Sequence, residues 1–129
     1  MSVRNAVYSR LSTYAGLISL VSTRIYTKQV PQEPTYPCVF YEVISMERVS
    51  ALDGDSGTVD AEIRTISMGS TLDSAQQVAD QVRAALQRWS GVESGVTIIN
   101  VLISSEADYY NDSELISHVE QTYTIAHKE

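Results

Sequence analysis

From Leu72 to Trp89 the apolar residues Leu72, Ala75, Val78, Ala79, Val82, Ala85, Leu86 and Trp89 recur at three- and four-residue steps. That spacing draws one apolar stripe along a helix, and such a stripe must be covered. Ser70-Thr71-Leu72-Asp73 offers capping residues at its start, with an acid at the positive end of the helix, and Ser90-Gly91 closes it. Just upstream, Val59, Ala61, Ile63 and Thr65 alternate with Asp60, Glu62 and Arg64, the period of a strand with one wet face. Helix and strand therefore predict an apolar helix face laid on a sheet.

The flanks extend this picture. Val3, Ala6, Val7, Leu11 and Tyr14 predict a first helix over residues 3–14, ended by Gly16 and followed by a short turn over 17–21. Pro31, Pro34 and Pro37 make residues 22–37 an extended connector. Cys38 to Met46 is rich in β-branched and aromatic residues and reads as a strand. Residues 47–57, with Asp53-Gly54-Asp55-Ser56-Gly57, read as its turn into the strand from Thr58 to Ser67. Val96 to Ser104 reads as a covered strand and 105–114 as a polar loop. Over 117–126, Val119, Gln121, Tyr123 and Ile125 alternate with polar neighbours in a last strand. The expected fold is α+β: a four-stranded, mainly antiparallel sheet against two helices, in the order α-β-β-α-β-β. The chain, 129 residues, suits one domain over 1–129.

Charge narrows the partners. The formal net charge is −7, divided as +3 over residues 1–40 and −10 over the rest. An acid surplus argues against a surface that grips a nucleic-acid backbone. One Cys cannot form an internal disulfide, and with two His it makes a poor zinc set. The longest apolar runs are strand-sized, well short of a membrane span. With no targeting segment evident, the chain reads as soluble and intracellular, without a membrane partner.

No constellation carries catalysis. Gly54-Asp55-Ser56-Gly57 matches four residues around the nucleophile of trypsin-like proteases, yet both His118 and His127 follow the Ser, the reverse of that family's order. Asp53 and Asp55 suggest a calcium loop, but Arg64 stands where the closing Glu belongs. Cys38 reads as a buried structural thiol, and His118 and His127 as surface residues. Asn111-Asp112-Ser113 fits a glycosylation acceptor with no secretory signal beside it. Trp89 reads as a cap on the core, with a subunit contact as the alternative. The expectation is no enzyme, no cofactor and no metal. Tyr109 and Tyr110, adjacent in an acidic loop, cannot both point into one core; they read as contact residues. Asp53 and Asp55, in the other acidic turn, join them as candidates.

Several segments together resemble the tail-completion, or tail terminator, proteins of long-tailed bacteriophages and prophages. They are Tyr8-Ser9-Arg10-Leu11, Leu17-Ile18-Ser19-Leu20-Val21, Thr23-Arg24-Ile25-Tyr26, Val30-Pro31-Gln32-Glu33, Tyr36-Pro37-Cys38-Val39-Phe40-Tyr41 and the helix Ala75–Leu86. The resemblance runs over nearly the whole chain as a diffuse pattern. It implies a structural assembly protein in the virion, at the head-proximal end of the tail, present in the host cytoplasm during assembly. It implies a homo-hexameric ring that caps the tail tube, ends its growth and meets the tail tube protein and the head connector protein. DNA passes through without specific binding. Six copies would carry about −42, enough to shape the field around a channel. The expected lumen is net-negative, fed by loop acids such as Asp53, Asp55, Glu106 or Asp108. The alternative is a small acidic protein-binding adaptor outside virion assembly.

Overall fold

Thr71 starts the long helix: its Oγ1 accepts from the Ser74 N–H at 3.1 Å, and α3 then runs Leu72–Leu86. In the computed structural model, residues 2–27, 32, 34–51, 54–112 and 115–128 are described, with backbone alone for 49–51 and 54–56. The apolar stripe of α3 is buried through Ala75, Val78, Ala79, Val82, Ala85 and Leu86, but Leu72, expected as its first residue, is half exposed at the helix start. Gly69 lets the preceding strand approach this start: a Cβ there would lie 2.8 Å from the Ala75 nitrogen.

Two further helices precede it, α1 Val3–Ser12 and α2 Ala15–Val21. Gly16 does not end the first helix; it lies inside α2, where a Cβ would run into the Gln81 side chain of α3. Its absence of side chain lets the two helices pack closely. Arg10 ties α1 to the far end of α3. Its Nε donates to the Ala85 carbonyl at 2.8 Å, and its guanidinium lies over the Tyr14 and Trp89 rings. Trp89 is 6% exposed and belongs to the core it was expected to cap.

The expected four-stranded sheet with two helices is not what forms. Three helices cover a six-stranded mixed half-barrel sheet in the order β1-β2-β3-β6-β5-β4. The strands are β1 Ile25–Tyr26, β2 Cys38–Ala51, β3 Gly54–Gly69, β4 Gly91–Glu93, β5 Val96–Asn111 and β6 Ile116–Lys128. β1 pairs parallel with β2, and every other neighbouring pair is antiparallel. The two added strands are edge pieces of two and three residues, too short to show a period.

The long strands also outrun their expected limits. Residues 105–111 are strand and not loop, because β5 stays paired with β6 as far as Asn111 opposite Ile116. Most of the expected turn 47–57 is strand as well: Arg48 pairs with Val59 and Ala51 with Gly54. Strand pairing overrides a turn-rich composition at both places.

Register sorts the side chains onto two faces. Under the helices lie the rows Tyr41–Thr65–Gln121–Glu106, Val43–Ile63–Tyr123–Ile103 and Met46–Ala61–Ile125–Val101. His127 continues this alternation beside Val59 and is 4% exposed, so it is a buried residue and not the surface residue expected. The opposite face carries Phe40–Ile66–Glu120–Ala107, Glu42–Arg64–Thr122–Ser105 and Glu47–Asp60–Ala126–Asn100.

Candidate functional site

The strands place the two sequence-derived candidate regions at opposite ends of the sheet. Tyr109 shares a row with His118, Met68 and Cys38, which defines the upper end. Val49 shares a row with Thr58, Lys128 and Thr97 at the lower end. The β2–β3 hairpin runs on below that row. At about 3.3 Å per residue, the rows are roughly 33 Å apart. Asp53 lies outside the described residues, and Asp55 is described only as backbone, opposite Ser50 near the hairpin tip.

Tyr109 and Tyr110 do point to opposite faces, as neighbours on a strand must. Tyr109 stands on the helix-free face, its ring 4.7 Å from that of His118 between centroids. Tyr110 stands on the helix side opposite Ser117. Both are about half exposed, at 46% and 52%. Two residues that the sequence did not mark as exposed lie at the same end. Leu72, at the start of α3, shares a cleft of about 330 Å³ with Asp108, Tyr109, Tyr110 and Ser117. Leu115, in the β5–β6 turn, is 67% exposed and has φ 58°, a conformation that costs a bulky residue energy. With the half-exposed Leu72, Tyr109 and Tyr110 at the same end, Leu115 adds to a cluster of exposed apolar side chains, the mark of a contact surface. In the sequence Leu115 stands beside Ile116, and the pair reads as leading into the last strand, which hides that one of the two is exposed.

Glu106 and Asp108 lie on β5, on the helix-bearing face, opposite Gln121 and Val119. Glu106 accepts from Gln121 Nε2 at 3.2 Å. The helix-free face holds a second set of acids that no motif had marked. Glu42, Glu47, Asp60, Glu62 and Glu120 share this face with Arg64, whose guanidinium pairs with Glu42 at 3.2 Å and Glu120 at 3.4 Å. Above this patch the face turns apolar, with Cys38, Met68 and Ile116 buried against Tyr26, Tyr36, Phe40 and Ile66. Burial pushes the Cys38 thiol up to about 11, against a smaller pull from Arg24, so it is an inert thiol at neutral pH.

Among the described residues no group of three His, Cys, Asp or Glu side chains could hold a metal ion. No described helix is long and apolar enough to cross a membrane. What the molecule offers is two projecting ends, an apolar tip and an acidic sheet face, features of an assembly subunit.

Comparison with known proteins agrees. The family model described as tail completion protein gp17 matches residues 5–128, so the chain belongs to that family of structural bacteriophage tail proteins. Among solved structures, a chain of the "Virion of native gene transfer agent (GTA) particle" is similar in fold, with TM-score 0.75 at 17% identity. The alignment covers 96% of this chain and 92% of that one. No curated protein matches. The protein is a structural component of a phage-type virion, working among other tail and head proteins.

Proposed function

We propose that the protein forms a homo-hexameric ring that caps the tail tube, ends its growth and joins the tail to the head connector. The observation that carries this is the separation of its two projecting ends. A piece that joins two different partners needs two different contact surfaces facing opposite ways. Here the apolar tip of Tyr109, Tyr110, Leu115 and Leu72 lies at one end of the sheet, and the β2–β3 hairpin that contains Asp53 and Asp55 at the other. Head-to-tail contacts between identical subunits close into a ring when the rotation closes. The fold likeness to a chain of a gene transfer agent virion supports a place within a particle.

DNA passes through this ring without being held. The acids of the helix-free face make the lumen net-negative and repel phosphate, whereas Glu106 and Asp108, expected there as loop acids, stand on the opposite, helix-bearing face. The test replaces Tyr109 and Tyr110 together by Ser. The monomer should keep its urea midpoint while tail attachment falls at least tenfold. Unchanged rings and unchanged attachment by light scattering and electron microscopy would show that the tip makes no contact.

A further inference from the structure

Two stretches of the sheet are exposed to solvent, and among the described residues no strand pairs along one edge of either. On β2, Ile44, Ser45, Met46, Glu47 and Arg48 are all exposed, and β1 pairs only with Val39 and Phe40. On β5, every residue from Ser104 to Tyr110 is exposed. Its outer edge is covered by β4 as far as Ile98. Beyond that, the Arg88 N–H donates to the Val101 carbonyl at 2.8 Å, and Gln87 Oε1 accepts from the Ile103 N–H at 2.8 Å. Past Phe40 and past Ile103, no described strand pairs with these outer edges. Monomeric proteins keep such edges short, covered or heavily charged. These two are long, and they sit at opposite corners of one sheet.

We infer that, in the ring proposed above and resting on that reading, Ser104–Tyr110 of one copy pairs antiparallel with Ile44–Arg48 of the next. The sheets then join edge to edge around the ring. Direction fits: β2 and β5 run opposite ways within the sheet, so upright neighbours meet antiparallel. Face and charge fit as well. Arg48 stands on the helix side with Val59, and Glu106 on the helix side with Gln121. A register that keeps helix sides together sets Glu106 against Arg48, Ala107 against Glu47 and Tyr110 against Ile44. Arg48 is the one cation in the two segments, and it meets Glu106 with Asp108 diagonally beyond. No like charges fall directly opposite.

The offset of the two corners fixes the tilt. In this register the two segments differ in height by six residues, roughly 20 Å. Four long strands about 4.8 Å apart make each copy about 19 Å wide around the ring. The ratio gives a strand tilt of roughly 45°, at the upper end of the range of closed sheets, whatever the number of copies. Handedness then chooses the inner face. β3 and β5 are parallel and linked through α3, and such connections are right-handed. With that hand, the offset tilts strands in the right-handed sense of natural sheets only when the helices face outward. Glu42, Glu47, Asp60, Glu62 and Glu120 then face the channel.

The test is a charge exchange scored as rings on tail tubes by electron microscopy. Arg48→Glu and Glu106→Arg should each lower ring occupancy at least tenfold, and the double exchange should restore it. Far-ultraviolet circular dichroism confirms that each variant folds. As an independent arm, Glu47→Cys with Ala107→Cys in a Cys38→Ala background should oxidise to a ladder of covalent oligomers. If the unaltered protein forms rings, yet both exchanges leave them intact and no ladder appears, edge pairing is overturned and the ring stands. If the unaltered protein forms no rings on tubes, the ring itself is wrong and the pairing falls with it.

Discussion

The Tyr123 hydroxyl donates to Gln121 Oε1 at 3.0 Å, both side chains wholly buried on the helix face of β6. The same oxygen lies 3.5 Å from Thr65 Oγ1, and Gln121 Nε2 reaches Glu106 on β5. One amide thus links three strands beneath α3. Gln121→Leu leaves the buried Tyr123 hydroxyl without its acceptor and should lower stability by about 1–3 kcal/mol. Tyr123→Phe removes the donor cleanly and should cost about 0.5–1.5 kcal/mol. Urea unfolding of both and of the double variant gives the coupling, and additive losses would show that the two groups act separately.

Alkali should unfold the protein from a definite point. Burial holds Cys38, Tyr41 and Tyr123 above their ordinary values, with Cys38 at about 11. Near Tyr123, Glu106 adds to the rise and Arg83 opposes it. The unfolded chain therefore loses these protons first, near pH 9 for the thiol and pH 10 for the phenols. Stability should hold below about pH 9 and fall above it, by up to about 1.4 kcal/mol per pH unit for each titrating group. Cys38→Ala should flatten the fall between pH 9 and 11. Urea midpoints that stay level to pH 11 would contradict this.

Leu115 separates contact from stability. Gly accepts φ 58° without strain, so Leu115→Gly should leave the monomer as stable or up to about 1 kcal/mol more so. Tail attachment should weaken, because the exposed side chain is gone. Lower thermal stability with normal attachment would mean that Leu115 serves the monomer.

The acidic face should govern DNA. Asp60 and Glu62 lie on the helix-free side of β3, clear of the core. Rings carrying Asp60→Lys and Glu62→Lys should retard duplex DNA in a gel at low salt, whereas unaltered rings should not. Equal mobility with both would place these residues away from the passage.

These features were unevenly legible in the sequence. The α3 stripe and the alternation of Val119, Gln121, Tyr123 and Ile125 were plain, because burial on one face imposes a period. His127 obeys the same alternation, but a polar residue near a strand end gives no apolar signal. Residues 105–111 hid for the opposite reason. With both faces exposed the strand needs no period, so Glu106, Asp108, Tyr109 and Tyr110 looked like loop. The acids of the helix-free face were visible one by one, but only register sets Glu42, Arg64 and Glu120 side by side. The strain at Leu115 is a property of the backbone that no residue type announces.

The central claim is a ring at the end of a tail tube. Electron microscopy of the purified protein mixed with tail tubes tests it most directly. A closed ring at one tube end, with further tube growth stopped, is the expected result. Tubes that stay bare and keep growing, with the protein monomeric beside them, would contradict it.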